Sequence, residues 1–515
     1  MSSMPVSQVA YLVASQVATK AVTFISNQAL LRRISPDIFG IAAYLEFVIN
    51  TVLFFSREAV RMASQRAKDE SVVLGMAWLP VMLCGPIFAA IAYLQTYSDL
   101  YQTSVAKLPY FHATLSVIVA SIVLELLAEP WFALNQYRLN FKLRSKVESM
   151  AVFFKCITVF LGVVWFSKQT EENSHLFNGL AVLAFACGQL AYAIVVFGAY
   201  AVSSPSVWPY FSSKSSGKQS VDHNILSVWK SLFMQMIFKH LLTEGDTMLT
   251  SYLFTVTQQG VYSVISNYGS MVARLLFQPV EESLRVSFTR TFSQKDPDYK
   301  GSQTIMGRLM TFYFNLSLLI VVGGYSNGSF LLNIILGRND KWQQSSVFED
   351  FPIYVLYIPF MAFNGILEAF FSSASTQAQI GRFSLFMSLS SVLVFALMYL
   401  FIGKLGWGIR GLIFANIVNM CLRIVYCLVF YANFFKGHVP IQTKYVLSKI
   451  WVPVLLSISS IALHRVCFHD GMTSSPTEFL KSILICIACF SGMLVNEREQ
   501  IHELVSGLRS KGKQE

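Results

Sequence analysis

Stretches of about twenty apolar residues recur, with short breaks, from one end of this chain to the other, and a membrane-spanning helix needs a stretch of about that length. Hydropathy, with Gly, Pro and charge marking the breaks, places spans near 7–31, 38–56, 72–95, 110–130, 147–166, 176–202, 227–253, 259–279, 305–335, 351–372, 382–403, 408–431, 446–464 and 478–495. Gly323-Gly324 and Asn327-Gly328 are expected to break the end of the long ninth stretch. Spans and short connections use up the 515 residues, leaving no room for a sizeable extramembrane domain. Charged residues make up 13% of the chain, against about a quarter in an average soluble domain, which excludes a soluble globular enzyme. The expected fold is an all-α membrane protein of about 14 transmembrane helices: two six-helix lobes in parallel pseudo-repeat plus two C-terminal helices.

The first span follows Met1–Ser7, which carries no charge, so it reads as a retained helix and not as a cleaved signal. An even number of spans puts both termini on one side. That side carries 21 loop Lys and Arg and the other side 9, so the positive-inside rule expects cytosolic N- and C-termini. The net charge of +11 is spread over short loops, and nucleic acid is therefore not an expected partner.

Residues 203–226, rich in Ser with Pro and Lys, read as a cytosolic linker between an N-lobe over 1–202 and a C-lobe over 227–435, with 436–515 holding two extra helices and a basic tail. Polar residues inside the spans support a repeat. Gln16, Lys20 and Asn27 match Gln235, Lys239 and Asp246 at an offset of 219; Gly40 matches Gly260 at 220; Leu124-Glu125 and Gln136 match Leu367-Glu368 and Gln379 at 243. Six spans per unit give two copies of the same orientation, related by an axis along the membrane normal.

Gln16, Lys20, Thr23 and Asn27 are spaced to share one helical stripe, and Gln235, Lys239, Thr243, Asp246 and Thr250 repeat the spacing. A charged side chain at the bilayer centre costs at least about 3 kcal/mol, so such residues face protein or a water-filled cavity. Two readings stand: a polar cavity between the halves, or a hydrogen-bonded seam in which Lys20 and Lys239 pair with carboxylates such as Glu46 or Glu244. Charges of both signs occur along the spans, among them Arg57, Glu58, Arg61, Glu125, Glu129, Lys155, Arg274, Glu281, Glu282, Arg308, Glu368 and Arg423, which disfavours a simple cation or anion pore. Arginine suits phosphate and carboxylates suit sugar hydroxyls or a cation. Arg57, Arg61 and Arg274, with Glu58 as organiser, are candidates to converge on a pyrophosphate; the alternative is snorkelling at a helix end.

Other patterns lead nowhere chemical. Gly406–Gly411 has the form G-x-G-x-x-G but joins two spans without a preceding strand, so it reads as a tight turn. The eight cysteines lie mostly in apolar runs, and Cys486 and Cys489 have no metal-binding partner in the sequence around them. No metal, nucleotide or other cofactor is expected, and the sequence identifies no protein partner.

Ser56–Arg61 (SREAVR), Leu124–Pro130 (LELLAEP), Lys239–Asp246 (KHLLTEGD) and Gln259–Ser283 resemble the Rft family of eukaryotic endoplasmic-reticulum proteins, and the likeness runs from about residue 5 to 500. That family in turn resembles the multidrug/oligosaccharidyl-lipid/polysaccharide flippase superfamily, with two six-helix lobes around a central cavity. The resemblance implies a multi-pass protein of the endoplasmic-reticulum membrane. Its implied role is to move a dolichyl-pyrophosphate heptasaccharide, five mannoses on two N-acetylglucosamines, from the cytosolic to the lumenal leaflet. Membrane lipid and the dolichol-linked oligosaccharide are then its partners. A non-transporting assembly factor of the same pathway, or a dolichol-dependent glycosyltransferase, are the rival readings; the second needs a catalytic acidic pair in the lumenal loops, where acids are sparse and no base accompanies them. The chain is expected not to be an enzyme.

Overall fold

A computed structural model describes residues 22–498 apart from residues 99, 139, 171–174, 208–222, 295, 338 and 437–442. Every regular element among the described residues is helical. The principal ones are α1 (Val22–Leu31), α2 (Pro36–Ser64), α3 (Glu70–Gln95), α4 (Phe111–Tyr137), α5 (Lys142–Gln169), α6 (His175–Ser203), α7 (His223–Leu253), α8 (Val256–Val272), α9 (Gln278–Phe292), α10 (Tyr299–Leu336), α11 (Val347–Ala374), α12 (Gln377–Lys404), α13 (Gly408–Phe435), α14 (Thr443–Cys467) and α15 (Pro476–Asn496). Among the described residues, eleven helices are long and apolar enough to cross a membrane. The expected fourteen are not reached on that count. The first stretch is described only from Val22, and polar and charged side chains dilute α7 and the α8–α9 pair.

The chain divides into two compact units, Met1–Gly260 and Val261–Glu515. Residues 208–222 of the expected linker lie outside the described residues, and the division falls later, at Gly260. The reason is that α7 packs along α2. The His240 ring sits 4.7 Å from the Phe54 ring and 4.8 Å from Phe55, with Nε2 3.2 Å from the Thr51 hydroxyl.

In the first unit the helix starts are written locally. The Ser35 hydroxyl accepts from the Ile38 amide at 3.3 Å ahead of Pro36, and the Asp69 carboxylate accepts from the Val72 amide at 3.0 Å; both satisfy orphan N–H groups of a first turn. Hydrogen bonds from the Ser71 hydroxyl and the Val72 amide hold the Asp69 carboxyl below its ordinary range. The core joins Ile34, Ile38 and Tyr44 to Val163, Phe177 and Val256, with Trp131, Phe132 and Tyr200 in a second cluster. Gly40 and Gly260 bring the first turns of α2 and α8 together: a Cβ on Gly40 would strike the Val256 carbonyl oxygen, and one on Gly260 the Pro36 carbonyl oxygen.

In the second unit, α8 passes through a π turn, Ala273–Phe277, into α9. The core is aromatic: the Phe370 ring lies 5.5 Å from Phe288, 5.3 Å from Tyr431 and 5.6 Å from Phe435. α10 runs unbroken through Gly323-Gly324 and Asn327-Gly328, against expectation. These glycines are packing sites: Gly324 meets the Val355 side chain, Gly328 meets Phe351, and the Asn327 amide donates to the Gly323 carbonyl at 2.8 Å. α14 and α15 dock here too. Thr473 donates from its amide to the Ser326 carbonyl at 3.0 Å, and buried His464 in α14 lies 2.8 Å from the Ser482 hydroxyl in α15. Gly406 and Gly408 take positive φ, 68° and 52°, which is the tight turn expected between α12 and α13.

Candidate functional site

The first unit holds a cavity of about 410 Å³ bounded by α1, α2, α4, α5 and α6. A pocket of that size takes a drug-sized ligand, which for a glycan means about one or two sugar rings. Its wall includes Asn27, Asn50, Arg57, Glu125, Gln189 and Tyr192, with Glu46 and Lys155 at one side.

Helix geometry sets the charges in register. Arg57 and Arg61 are one turn apart on α2, and Glu125 and Glu129 one turn apart on α4, so two rungs form. Arg57 Nη1 lies 2.6 Å from Glu125 Oε1 and 3.7 Å from Glu129 Oε1. Arg61 donates twice to Glu129, at 2.9 Å from Nε and 2.5 Å from Nη2. The centroid of the Phe132 ring lies 3.6 Å from the Arg61 guanidinium and 5.0 Å from that of Arg144, a cation–π arrangement. Glu125 Oε2 accepts from the Gln189 amide at 3.3 Å. Two arginines meet two carboxylates, and the rungs carry no net charge. A second pair lines the cavity, Lys155 Nζ to Glu46 Oε1 at 3.0 Å.

These facts redistribute the roles expected from the sequence. Glu58 is not the organiser: it enters no ion pair among the described residues, because its side chain leaves α2 about 100° round from that of Arg57. Glu125 and Glu129 hold the arginines instead, so a phosphate approaching Arg57 or Arg61 must compete with a carboxylate already in place. Arg274 lies in the second unit, exposed, and donates to the carbonyl and side-chain oxygens of Asn267, both at 3.2 Å. Gln16 and Lys20 lie outside the described residues, as do the side chains of Lys239 and Thr243. Glu46 pairs with Lys155. Glu244 is exposed and forms no ion pair among the described residues, and Asp246 accepts from the Thr247 amide at 2.8 Å. Glu282 accepts from the Gln278 amide at 3.0 Å, Arg423 lies 3.7 Å from Glu368, and Glu281 rests on the backbone of Gly365. Among the described residues no group of three or more His, Cys, Asp and Glu is placed to hold a metal. Asn50, Lys155, Gln189 and Tyr192 were not expected as a wall. The signal available was polar character inside apolar spans, with Gln189 and Tyr192 three residues apart on one face of α6.

A neutral wall rich in amide, hydroxyl and paired charges can exchange hydrogen bonds with a polyol without stranding an ion. Its water access is testable. In a Cys156→Ser background, Asn50→Cys and Gln189→Cys should react with a small hydrophilic thiol reagent, and Ile194→Cys, on the exposed apolar side of α6, should not. Equal inertness of all three would mean a dry, closed seam.

Comparison with known proteins is consistent along the whole chain. The chain is 37% identical to the Man(5)GlcNAc(2)-PP-dolichol translocation protein RFT1 of Candida albicans, over 95% of this chain and 91% of that protein. It is 35% identical to the protein of the same name from Saccharomyces cerevisiae, over 96% and 94%, and 29% identical to that of Mus musculus, over 90% and 87%. Among solved structures it is similar to the lipid II flippase MurJ in an inward closed conformation, with a TM-score of 0.64 at 14% identity over 95% of this chain and 99% of that one. An inward-facing multidrug resistance transporter of the MATE family matches with a TM-score of 0.53 at 9% identity, over 82% and 96%. At these identities the likeness shows the fold alone, that of multi-pass membrane transporters. The Rft protein family model matches residues 5–507, so with relatives this similar over 87–94% of their length, the chain belongs to the Rft protein family.

Proposed function

We propose that this protein moves a dolichyl-pyrophosphate-linked heptasaccharide across the endoplasmic-reticulum membrane, from the cytosolic to the lumenal leaflet, without covalent chemistry. The observation that carries the reading is the similarity, over more than nine-tenths of each chain, to relatives named for translocating Man(5)GlcNAc(2)-PP-dolichol. The first unit's cavity supports it chemically, since Asn50, Gln189 and the paired Glu46 and Lys155 suit sugar hydroxyls. In this reading the termini and the 203–226 segment are cytosolic, as the basic asymmetry expects. The chain contains no nucleotide-binding motif, so net movement follows consumption of the glycolipid on the lumenal side or an ion gradient.

The test is reconstitution. Purified protein in liposomes with the defined heptasaccharide lipid should make the glycan on the inner leaflet accessible to an external lectin faster than protein-free liposomes do. Glu46→Gln together with Lys155→Met, which removes the cavity's charge pair without leaving a lone charge, should slow the exchange. Accessibility no faster than in protein-free liposomes, from protein that binds the glycolipid, would replace transport with the assembly-factor reading.

A further inference from the structure

The second unit repeats the geometry of the charged rungs with a different sum of charges. In the first unit Glu125 of α4 faces an arginine of α2. In the second unit, Glu368 of α11 is the residue that matches Glu125 at the 243 offset, and the helix packed on it is α9, which presents Glu281. The Glu281 carboxylate lies directly on the Gly365 backbone, three residues before Glu368, where no side chain could fit. Among the described residues Glu281 accepts no hydrogen bond and enters no ion pair, although it is only partly exposed.

Asn364 supplies an independent observation. It is 8% exposed and its Nδ2 donates to Glu368 Oε2 at 3.2 Å, yet its Oδ1 is buried with no partner. An orphan buried acceptor is costly. Here its side chain bonds Glu368 and the next residue, Gly365, carries the Glu281 carboxylate, and no described residue donates to it. Arg423 approaches the same Glu368 oxygen at 3.7 Å while its Nε turns to the Met387 sulfur at 2.9 Å. Glu281, Glu368 and Arg423 therefore sum to one negative charge. Other described neighbours are Glu282 and Arg285, both exposed and mutually cancelling, the buried Cys427 thiol beside Glu368 and Arg423, and the Tyr313 hydroxyl, which donates to the Phe277 carbonyl at 3.5 Å. Phe277 closes the π turn that sets the direction of α9, and such turns recur at functional sites.

We propose that Asn364 Oδ1 and the carboxylates of Glu281 and Glu368 form a site for one monovalent alkali cation in the second unit. Hard cations take oxygen ligands, one positive charge balances the cluster, and the cation gives the orphan amide oxygen its partner. A divalent ion would leave an excess positive charge beside Arg423. The site does not depend on the identity of the transported lipid.

The full chain in lipid nanodiscs, without glycolipid, is titrated near neutral pH with radioactive sodium in choline chloride. Saturable binding of one sodium per chain is expected. Glu281→Gln, Glu368→Gln and Asn364→Leu should each weaken it at least about tenfold, as loss of a charged or direct ligand in a partly desolvated site implies. Asn364→Asp should retain it, and Glu349→Gln, in an exposed pair elsewhere in the unit, should leave it unchanged. If Glu281→Gln does not yield folded protein, the Asn364 pair decides. Absence of saturable binding by the native chain, or native binding by the folded Asn364→Leu and Glu281→Gln variants, overturns the proposal. Stabilisation by acid with no sodium binding at any concentration also overturns it and leaves a proton shared by the carboxylates.

Discussion

Glu129→Ala should destabilise the protein more than removal of Arg61 and Glu129 together. Glu129 is 3% exposed and Arg61 16% exposed in their side chains, so truncating the carboxylate leaves two half-buried guanidinium groups, those of Arg61 and Arg57, with one acceptor fewer. Breaking a buried pair from one side costs about 3–5 kcal/mol, whereas replacing both partners by apolar groups of similar volume is often close to neutral. The double variant Arg61→Leu with Glu129→Leu should therefore recover most of the loss, with Arg57 still held by Glu125 at 2.6 Å. Thermal unfolding followed by tryptophan fluorescence in a fixed detergent orders the variants. Glu129→Ala as stable as the native chain, or the double variant worse than the single, would remove the rungs from any stability role. Arg61→Lys takes an intermediate place, because lysine loses both the fork to Glu129 and the face of Phe132. A defect in Arg61→Lys is thus expected from packing alone and does not by itself speak for phosphate.

How these charges would pair was only half legible. Arg57, Arg61, Glu125 and Glu129 stand out because charge inside an apolar span is expensive, and their one-turn spacing announces two faces. Nothing in the sequence says which faces meet. Glu58 is adjacent to Arg57 in the chain and looks like its partner, while the true partners are 68 residues away, a relation that depends on which helices the fold makes neighbours. The same holds for Lys155 and Glu46, 109 residues apart. Apolar runs, by contrast, report directly on length against bilayer thickness, and helices occur wherever the described residues cover an expected span. Gly323-Gly324 misleads for a related reason: glycine lowers intrinsic helix propensity, but in α10 it marks where Val355 comes close, and packing outweighs propensity in a long helix. The offset of 220 between Gly40 and Gly260 was legible as a repeat, yet not that the two glycines touch.

That contact carries the other large expected effect. Ser35 caps α2, and Thr255, 220 residues on, accepts from the Gln258 amide at 3.3 Å at the start of α8. Asp37 accepts from the Thr257 hydroxyl at 2.5 Å, again 220 residues apart. The two first turns are pressed together by the absence of side chains at Gly40 and Gly260, and what a Cβ would strike on either is backbone: the Val256 and Pro36 carbonyls and the facing glycine amide. No rotamer change relieves such a clash, so Gly260→Ala should cost at or above the upper end of the 1–3 kcal/mol typical of overpacking. Gly40→Ala should cost as much. The double variant should cost less than the sum, because once the helices have separated the second methyl meets open space. Gly198→Ala is the control, since nothing lies within 4 Å of a Cβ there; alanine in that helix should stabilise by about 0.5–1 kcal/mol. Thermal unfolding of the four variants decides. A Gly260→Ala protein as stable as the native one would mean that the crossing is loose, and additive losses would mean that the two glycines do not share one contact.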